Sequence, residues 1–505
     1  MFLARCSPGY LLGSICVVIL SFLTFTGLLY LLYITYIRLK YAHMPGPKYG
    51  SFLFGNLTEV RRGTADGKVF GMIVLEWSQK HGKVISCAIL HLNIIIILDP
   101  VAIKHLLVTK NSPKGAVPYD TLSVMHGERF FGHGLVSERR NKKWAERRSL
   151  MNPTFRRRFL KLSMDQFNSS VDLLITKLRK KADGKSIVSM SEEFLRLGID
   201  IIAKVAFGTD LNVMFEVENP FVDASKLAFS AVLRSMRYPL DNYNPCSRKF
   251  RQEVRAAVRF LRQTGRDVVE KRLAARLNGE EVREDDMLGY WLKASDYLKN
   301  PEFQMEDVLD EFVTIFLAGY ETTANAAAAM LMELVRNQDI LNRVRSEIQH
   351  VVCGRTEVKF EDLANLTYMS QVFKETLRVY PIAPSLTRHL KKEETVVGVR
   401  IPGNSYISVD LYSLGRQDEY FEDPHTFNPD RFSNAESIVP YTYMPFSLGP
   451  RNCIGQNFAQ IETKVLFAKL LPLFDFTWVP GQSYDIVDMG TLHLKDGCQN
   501  YITLR

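Results

Sequence analysis

The stretch FSLGPRNCIG at 446–455 places one cysteine, Cys453, two residues after Arg451 and two before Gly455. It stands just ahead of IGQNFAQIETKVLFAKLL, whose apolar residues recur with helical period. A thiol becomes a good metal ligand when its thiolate is stabilised, and a helix N-terminus with a nearby cation does this. Zinc would need three more ligands and covalent haem attachment a CxxCH run, and the sequence has neither. One thiolate serving one haem iron fits the spacing; a buried, inert cysteine is the plain alternative.

A second chemical candidate lies in PEFQMEDVLDEFVTIFLAGYETTANAAAAMLMELVRNQ, which reads as one helix from Pro301 with Glu302, Glu306 and Asp307 near its positive end. Its centre, Ala318-Gly319-Tyr320-Glu321-Thr322-Thr323, puts glycine and two threonines where a packing helix prefers leucine or alanine. Either a neighbouring helix approaches at Gly319 while the threonines bond back to carbonyls, or a widened turn opens a groove for a small ligand, with Glu321 and Thr322 delivering protons. A third candidate is Glu375 with Arg378, three apart on a helix ending before Pro381. Such pairs are mostly surface ion pairs. Arg431, in the proline-interrupted coil FEDPHTFNPDRF, could join them, because coil without a backbone ladder needs side-chain anchors.

These residues must be positioned by a large scaffold. The chain has 505 residues, 46% hydrophobic and 24% charged, ample for a buried core and far from disordered composition. Short β-branched runs such as KVISCAIL and NIIIILD are outnumbered by apolar stretches of helical period, so the body is expected to be mainly α with a minor β region. Residues 51–505 carry no repeat or long linker and read as one catalytic unit; ARLNGEEVREDD is at most an exposed loop within it. Residues 9–37 hold no charged side chain, longer than the roughly 20 needed to span hydrocarbon. Residues 1–44 are therefore read as a membrane anchor rather than a cleaved signal, with 45–50 as a proline-rich hinge. Arg5 precedes the span, whereas Arg38, Lys40, Lys48, Arg61 and Arg62 follow it, a bias that places the body in the cytosol. Seven scattered cysteines indicate neither a disulfide framework nor zinc. GTADGK at 63–68 is one residue short of a phosphate-binding loop and lacks the following Ser or Thr, GHG at 132–134 lacks a third glycine, and there is no HExxH or GxSxG, so the common nucleotide, protease and hydrolase motifs are absent.

With these residues in view, FSLGPRNCIG resembles the haem-binding signature of the cytochrome P450 family, and the resemblance runs through the chain in order. Ala318 to Thr323 resembles its oxygen-activation motif, Glu375 and Arg378 its helical pair, Pro429 to Phe432 its proline-to-arginine coil, and Trp144 with Arg148 its haem-propionate contacts. The resemblance implies a cytochrome P450 fold behind one N-terminal transmembrane helix, and haem b with Cys453 as axial ligand. By the same resemblance Phe446 shields the sulfur, Trp144, Arg148, Arg388 and Arg451 hold the propionates, and Glu321 and Thr322 steer protons to dioxygen. SLGRQDEY at 413–420 departs from the pattern, with Gly415 where many members carry a His-Arg pair.

The implied activity is insertion of one oxygen atom of O2 into a C–H bond of a lipophilic substrate at the endoplasmic reticulum membrane. Electrons would come from NADPH through cytochrome P450 reductase, with cytochrome b5 as a second candidate donor. HGERFFGHGLVSE, RFLRQTGRDVVEKR, FLAGYETTAN and YFEDPHTFNPDRF look most like the cholesterol 24-hydroxylase branch, which implies a sterol side chain; a fatty acid is the runner-up. The stretches expected to line the pocket are Ser112 to Phe131, Ala228 to Leu240 and Ile382 to Leu386. A haem-thiolate isomerase, a peroxygenase or a haem sensor would need no reductase. Net charge is +9, and residues 129–161 alone hold eleven Lys or Arg against two Glu. Lys142, Lys143 and Arg147 there are expected to meet an acidic reductase surface, against a solvated face or anionic lipid. Few aromatics accompany them, which argues against nucleic acid.

Overall fold

The computed structural model describes residues 8–117, 119–216, 218–280, 284–294 and 304–505. Arg5, Pro301 and Glu302, and residues 281–283 of the polar loop, lie outside the described residues. The chain is mostly helical. Its main sheet runs Val84–Ile89, Leu92–Ile97, Ser405–Asp410, Ser385–Leu390, with only the central pair parallel. The isoleucine run 94–97 forms an inner strand, paired on both sides and almost wholly buried, which suits β-branched side chains. A second sheet joins Phe474–Trp478, Gln499–Leu504 and Asp183–Ser189, and a hairpin pairs Ile486–Asp488 with Leu492–Leu494.

The N-terminal helix Pro8–Tyr41 is long and apolar enough over 14–41 to cross a membrane. Its last turn is fastened to the main sheet. Arg38 donates to the Leu90 carbonyl at 2.8 Å, Lys40 to the Gly403 carbonyl at 2.6 Å, and Tyr41 meets Ser405 Oγ at 2.9 Å. The proline segment that follows is held too: the Pro45 carbonyl accepts from Ser86 N at 2.7 Å, and Asn56 donates to the Lys48 carbonyl at 3.1 Å.

The long helix Met305–Arg336 crosses the body, about 48 Å at 1.5 Å per residue. It starts at a capping box between Gln304 and Asp307, later than the proline start expected from sequence, with Glu306 and Asp307 in its first turn. Helix Met190–Phe207 packs along it, and Phe207, Phe221, Phe312 and Phe316 cluster with ring centroids 4.4 to 4.9 Å apart. Near its N-terminal end Asp310, fully buried, accepts two bonds from Arg129 at 2.9 and 2.6 Å and one from His133 N at 2.7 Å; Glu311 accepts from Leu135 N at 3.0 Å. This fixes the HGERFFGHGLVSE stretch against the long helix.

Helix Gln456–Leu470 carries Glu462, 2% exposed, with Oε2 finding no partner; burial alone pushes its carboxyl up to about 8. A carboxyl raised above its unfolded value stabilises the fold fully below the unfolded pKa, about 4.3, and that contribution drains away as pH rises toward 8. Glu462→Gln, which removes the titration, should therefore gain stability over the native chain at pH 8 and less at pH 5, read as the shift in thermal midpoint at the two pH values.

Candidate active site

The cysteine loop has no ladder to hold it, so its geometry comes from side chains and from a few turn bonds, Cys453 N to the Phe446 carbonyl at 2.8 Å, Asn452 N to the Gly449 carbonyl at 3.1 Å and Ser447 N to the Met444 carbonyl at 2.9 Å. Gly449 lies at φ +71, and a Cβ there would stand 2.4 Å from the Leu107 carbonyl oxygen, so glycine lets the loop press on its neighbour. Arg148, from helix Asn141–Met151, donates to the Asn452 carbonyl at 2.7 Å, to Asn452 Oδ1 at 2.9 Å and to Asn152 Oδ1 at 2.7 Å, which clamps the residue next to the cysteine. Cys453 lies deep in the body, yet its side chain opens onto a cavity. Burial pushes the thiol up; the Gly455 N–H, Arg148 and the Gln456 N–H pull it down. Those two N–H groups sit at the start of the helix Gln456–Leu470, as the spacing predicted.

The cavity holds about 1400 Å³ of atom-free space, part of it open to solvent. Cys453 and Phe446 line it together with Ala318, Gly319 and Thr322 of the long helix. Between Val308 and Leu334 these three are the only partly exposed residues of that helix, a stripe at i, i+1 and i+4. The helix is assigned as α throughout this stretch, so of the two readings the widened turn is not what opens the groove: small side chains make it. The packing reading holds at the same place. A Cβ on Gly319 would stand 2.7 Å from Ile202 Cδ1, and Thr322 and Thr323 donate back to the Ala318 and Gly319 carbonyls at 2.9 and 3.1 Å. Thr322 faces the cavity; Glu321 turns away, and its Oε1 accepts from Thr491 Oγ1 at 2.7 Å.

One rim is strongly cationic. Arg451 stacks its guanidinium 4.2 Å over the Trp144 ring and donates to the Glu138 carbonyl at 2.7 Å, while its Nε is buried without a partner. Burial, then Arg388, lowers it to about 10. Arg388 stands behind the wall, also with an orphaned Nε, and burial lowers its pKa. Lys114, which the sequence reading missed, lines the cavity and donates to the Val136 carbonyl at 2.6 Å; burial, Arg388 and Arg451 hold it well below the ordinary lysine range. Three buried basic groups, with Arg388 acting on Arg451 and both acting on Lys114, and two of them carrying buried unpaired N–H groups, fit a dianionic carboxylate group such as haem propionates. A thiol opening onto the same cavity fits the iron.

Glu375 and Arg378 are fully buried, not a surface pair. Arg378 makes two 2.7 Å bonds to Glu375 and donates to the Gly415 and Pro424 carbonyls at 2.7 Å; Arg431 Nε reaches the same carboxylate at 3.0 Å. Gly415, where the sequence departs from the family pattern, thus meets Arg378 through its main chain. The basic block needs correction. Arg147 is turned inward to Glu311, at 3.2 Å, and to Asp307, because one helical face carries Trp144, Arg147 and Met151 to the core; Lys142 and Lys143 stay exposed. Of the expected lining stretches, Ile382, Ala383 and Leu386 contribute, Ser112 to Phe131 gives Lys114 among its described residues, and the described residues of 228–240 give none. Ile202, Phe373 and Leu377, from helices paired with the long one in space, and Thr314, one turn before Ala318 on the long helix itself, were not foreseeable from local pattern.

Residues 44–496 match the cytochrome P450 family model, and the chain belongs to that family of haem-thiolate monooxygenases, which bind haem b. It is 29% identical over 453 residues to cytochrome P450 3A29 of Sus scrofa, covering 86% of this chain and 85% of that protein. To cytochrome P450 4d2 of Drosophila melanogaster it is 28% identical over 460 residues, covering 86% and 88%.

Removing one partner of a buried ion pair leaves an uncompensated charge, at a cost of about 3–5 kcal/mol. Arg378→Ala should lower stability by that amount in chemical unfolding and reduce haem retained on purification, whereas Arg343→Ala, whose exposed bonds to Asp430 are 2.8 and 2.9 Å, should change either little.

Proposed function

We propose that Cys453 is the axial haem ligand and that the chain hydroxylates an aliphatic carbon of a sterol side chain. The observation that carries this reading is a single cavity with an open thiol on one wall, a helix of small residues lining another, and an unsatisfied cationic rim. Haem b, when bound there, supplies the redox chemistry that inserts one oxygen atom of O2 into a C–H bond. Lys114, Arg388 and Arg451 would neutralise its propionates by charge-assisted bonds, with Trp144 beneath Arg451 and Arg148 beside the sulfur loop. Phe446 would cover the sulfur and keep water from it. The Thr322 hydroxyl, in the cavity wall, and the Glu321 carboxyl behind it would hold and pass protons, while Ala318 and Gly319 leave room for oxygen.

Ile202, Ile315, Leu377, Ile382 and Leu386 give the cavity an apolar lining suited to a lipid. The choice of a sterol over a fatty acid rests on the likeness of four segments to cholesterol 24-hydroxylase. The apolar helix, with Arg38 and Lys40 at its end and Lys48, Arg61 and Arg62 beyond, supports a single-pass anchor in the endoplasmic reticulum with the body in the cytosol. Electrons would come from NADPH through cytochrome P450 reductase, docked at Lys142 and Lys143, on the helix whose Arg148 grips the cysteine loop.

Carbon monoxide added to the dithionite-reduced protein should give the red-shifted Soret band of thiolate ligation, and Cys453→Ser should abolish it; an unshifted band in the native chain refutes the ligation. Charge reversal at Lys142 and Lys143 should slow reduction by reductase about tenfold and flatten its salt dependence, whereas unchanged reduction would reject docking there. Sterols offered to the ferric protein should produce the spectral shift of displaced water at lower concentration than fatty acids; the reverse order would favour the fatty-acid hydroxylase.

A further inference from the structure

Glu321 is the acid of the motif, yet it does not line the cavity. Its side chain is 4% exposed, and Oε2 is buried without a partner. Oε1 accepts from the Thr491 hydroxyl at 2.7 Å and lies 3.1 Å from His493 Nε2; Thr491 Oγ1 is itself 2.9 Å from that nitrogen. Thr491 and His493 belong to the hairpin Ile486–Asp488/Leu492–Leu494, where His493 opposes Val487 and Leu492 N donates to the Ile382 carbonyl at 2.9 Å. The imidazole side chain is 24% exposed, so it bridges the buried carboxyl and solvent.

The distances also decide where the ring proton sits. With a carboxylate oxygen at 3.1 Å, an Nε2 lone pair would face the oxygen's lone pairs, whereas Nε2–H can be shared between Glu321 Oε1 and Thr491 Oγ1. Asn325, one turn beyond Glu321, has its amide 3.3 Å from the same nitrogen and must then present oxygen, not N–H.

We propose that His493, acting through the Thr491 hydroxyl, is the solvent-side relay that reprotonates Glu321, so that protons enter beneath the C-terminal hairpin and not through the mouth of the cavity. This rests on the monooxygenase reading of the site. The step is balanced: the imidazolium gives its Nε2 proton to Thr491 Oγ1 as the Thr491 hydroxyl proton passes to Glu321 Oε1. Imidazolium and carboxylate become the Nδ1–H imidazole and carboxylic acid; a flip of the ring then turns the freed Nε2 to water, from which it takes a proton, and the return flip restores the imidazolium against Glu321 and Thr491. A half-turn about the Glu321 Cγ–Cδ bond then exchanges the two carboxyl oxygens and carries the proton to the unpartnered side.

The test uses the full-length haem protein with reductase and a turned-over lipid, in His493→Phe, Thr491→Val and Thr491→Ser. The first two should lower product formed per NADPH about tenfold, with peroxide released instead, a larger solvent deuterium isotope effect and unchanged KM. Thr491→Ser, which restores the hydroxyl, should recover native coupling. Independently of turnover, the ring nitrogens of His493 in the resting protein, labelled with nitrogen-15, should show Nε2 protonated. Native coupling and isotope effect in both disabling variants overturn the relay, as does an Nε2 without a proton. A native chain that consumes no NADPH with any sterol or fatty acid instead overturns the monooxygenase reading, while the ring resonance still reports on the relay geometry.

Discussion

The Arg378 guanidinium is the interaction on which the site hangs. Between the short helix Leu411–Leu414 and the helix starting at Gln456 the chain's only elements are two 3-10 turns, Pro429–Phe432 and Ala435–Ser437, and this coil must deliver a sulfur to a defined place. Backbone ladders cannot hold it, so side chains do. Arg378 takes Glu375 with one edge and the Gly415, Pro424 and Thr426 carbonyls with the rest, while Arg431 closes the ring from within the coil. Burying such a pair is costly and its net contribution to stability is modest. Its consequence is positional: the carbonyls of 415–426 have one arrangement that satisfies a planar fork.

A similar logic recurs nearer the chemistry. Arg148 ties the cysteine loop to the helix Asn141–Met151, and Arg147, on the next position, ties that helix to the long one through Glu311. The sulfur and the groove at Ala318–Gly319 are thus two ends of one chain of guanidinium contacts. The rim at Lys114, Arg388 and Arg451 is the opposite case: among the described residues these basic groups make no ion pair, Glu138 acts only on Arg451 and is itself bound to Arg140, and there the missing charge defines what binds.

The long helix shows how one residue meets two demands. Gly319 allows Ile202 to approach on one side and leaves the cavity wall thin on the other, so the packing and ligand readings of the motif are the same geometry. The threonine back-bonds give Thr322 a fixed acceptor while its side chain still lines the cavity.

Local chemistry was enough to raise Cys453, Ala318 to Thr323 and the apolar helix as candidates, because each rests on spacing within one turn, one loop or one uninterrupted run, whereas Glu375 with Arg378 looked like a surface pair until the family resemblance singled it out. The mainly α architecture was legible for the same reason. What faces what was not. The inward turn of Arg147, the burial of Glu375, and the gathering of Lys114 with Arg388 and Arg451 depend on contacts between segments far apart in the chain. So does the meeting of Glu321 with Thr491 and His493, 170 and 172 residues away. Periodicity tells which face of a helix is apolar, but only packing tells which neighbour's charge or hydroxyl lies against it.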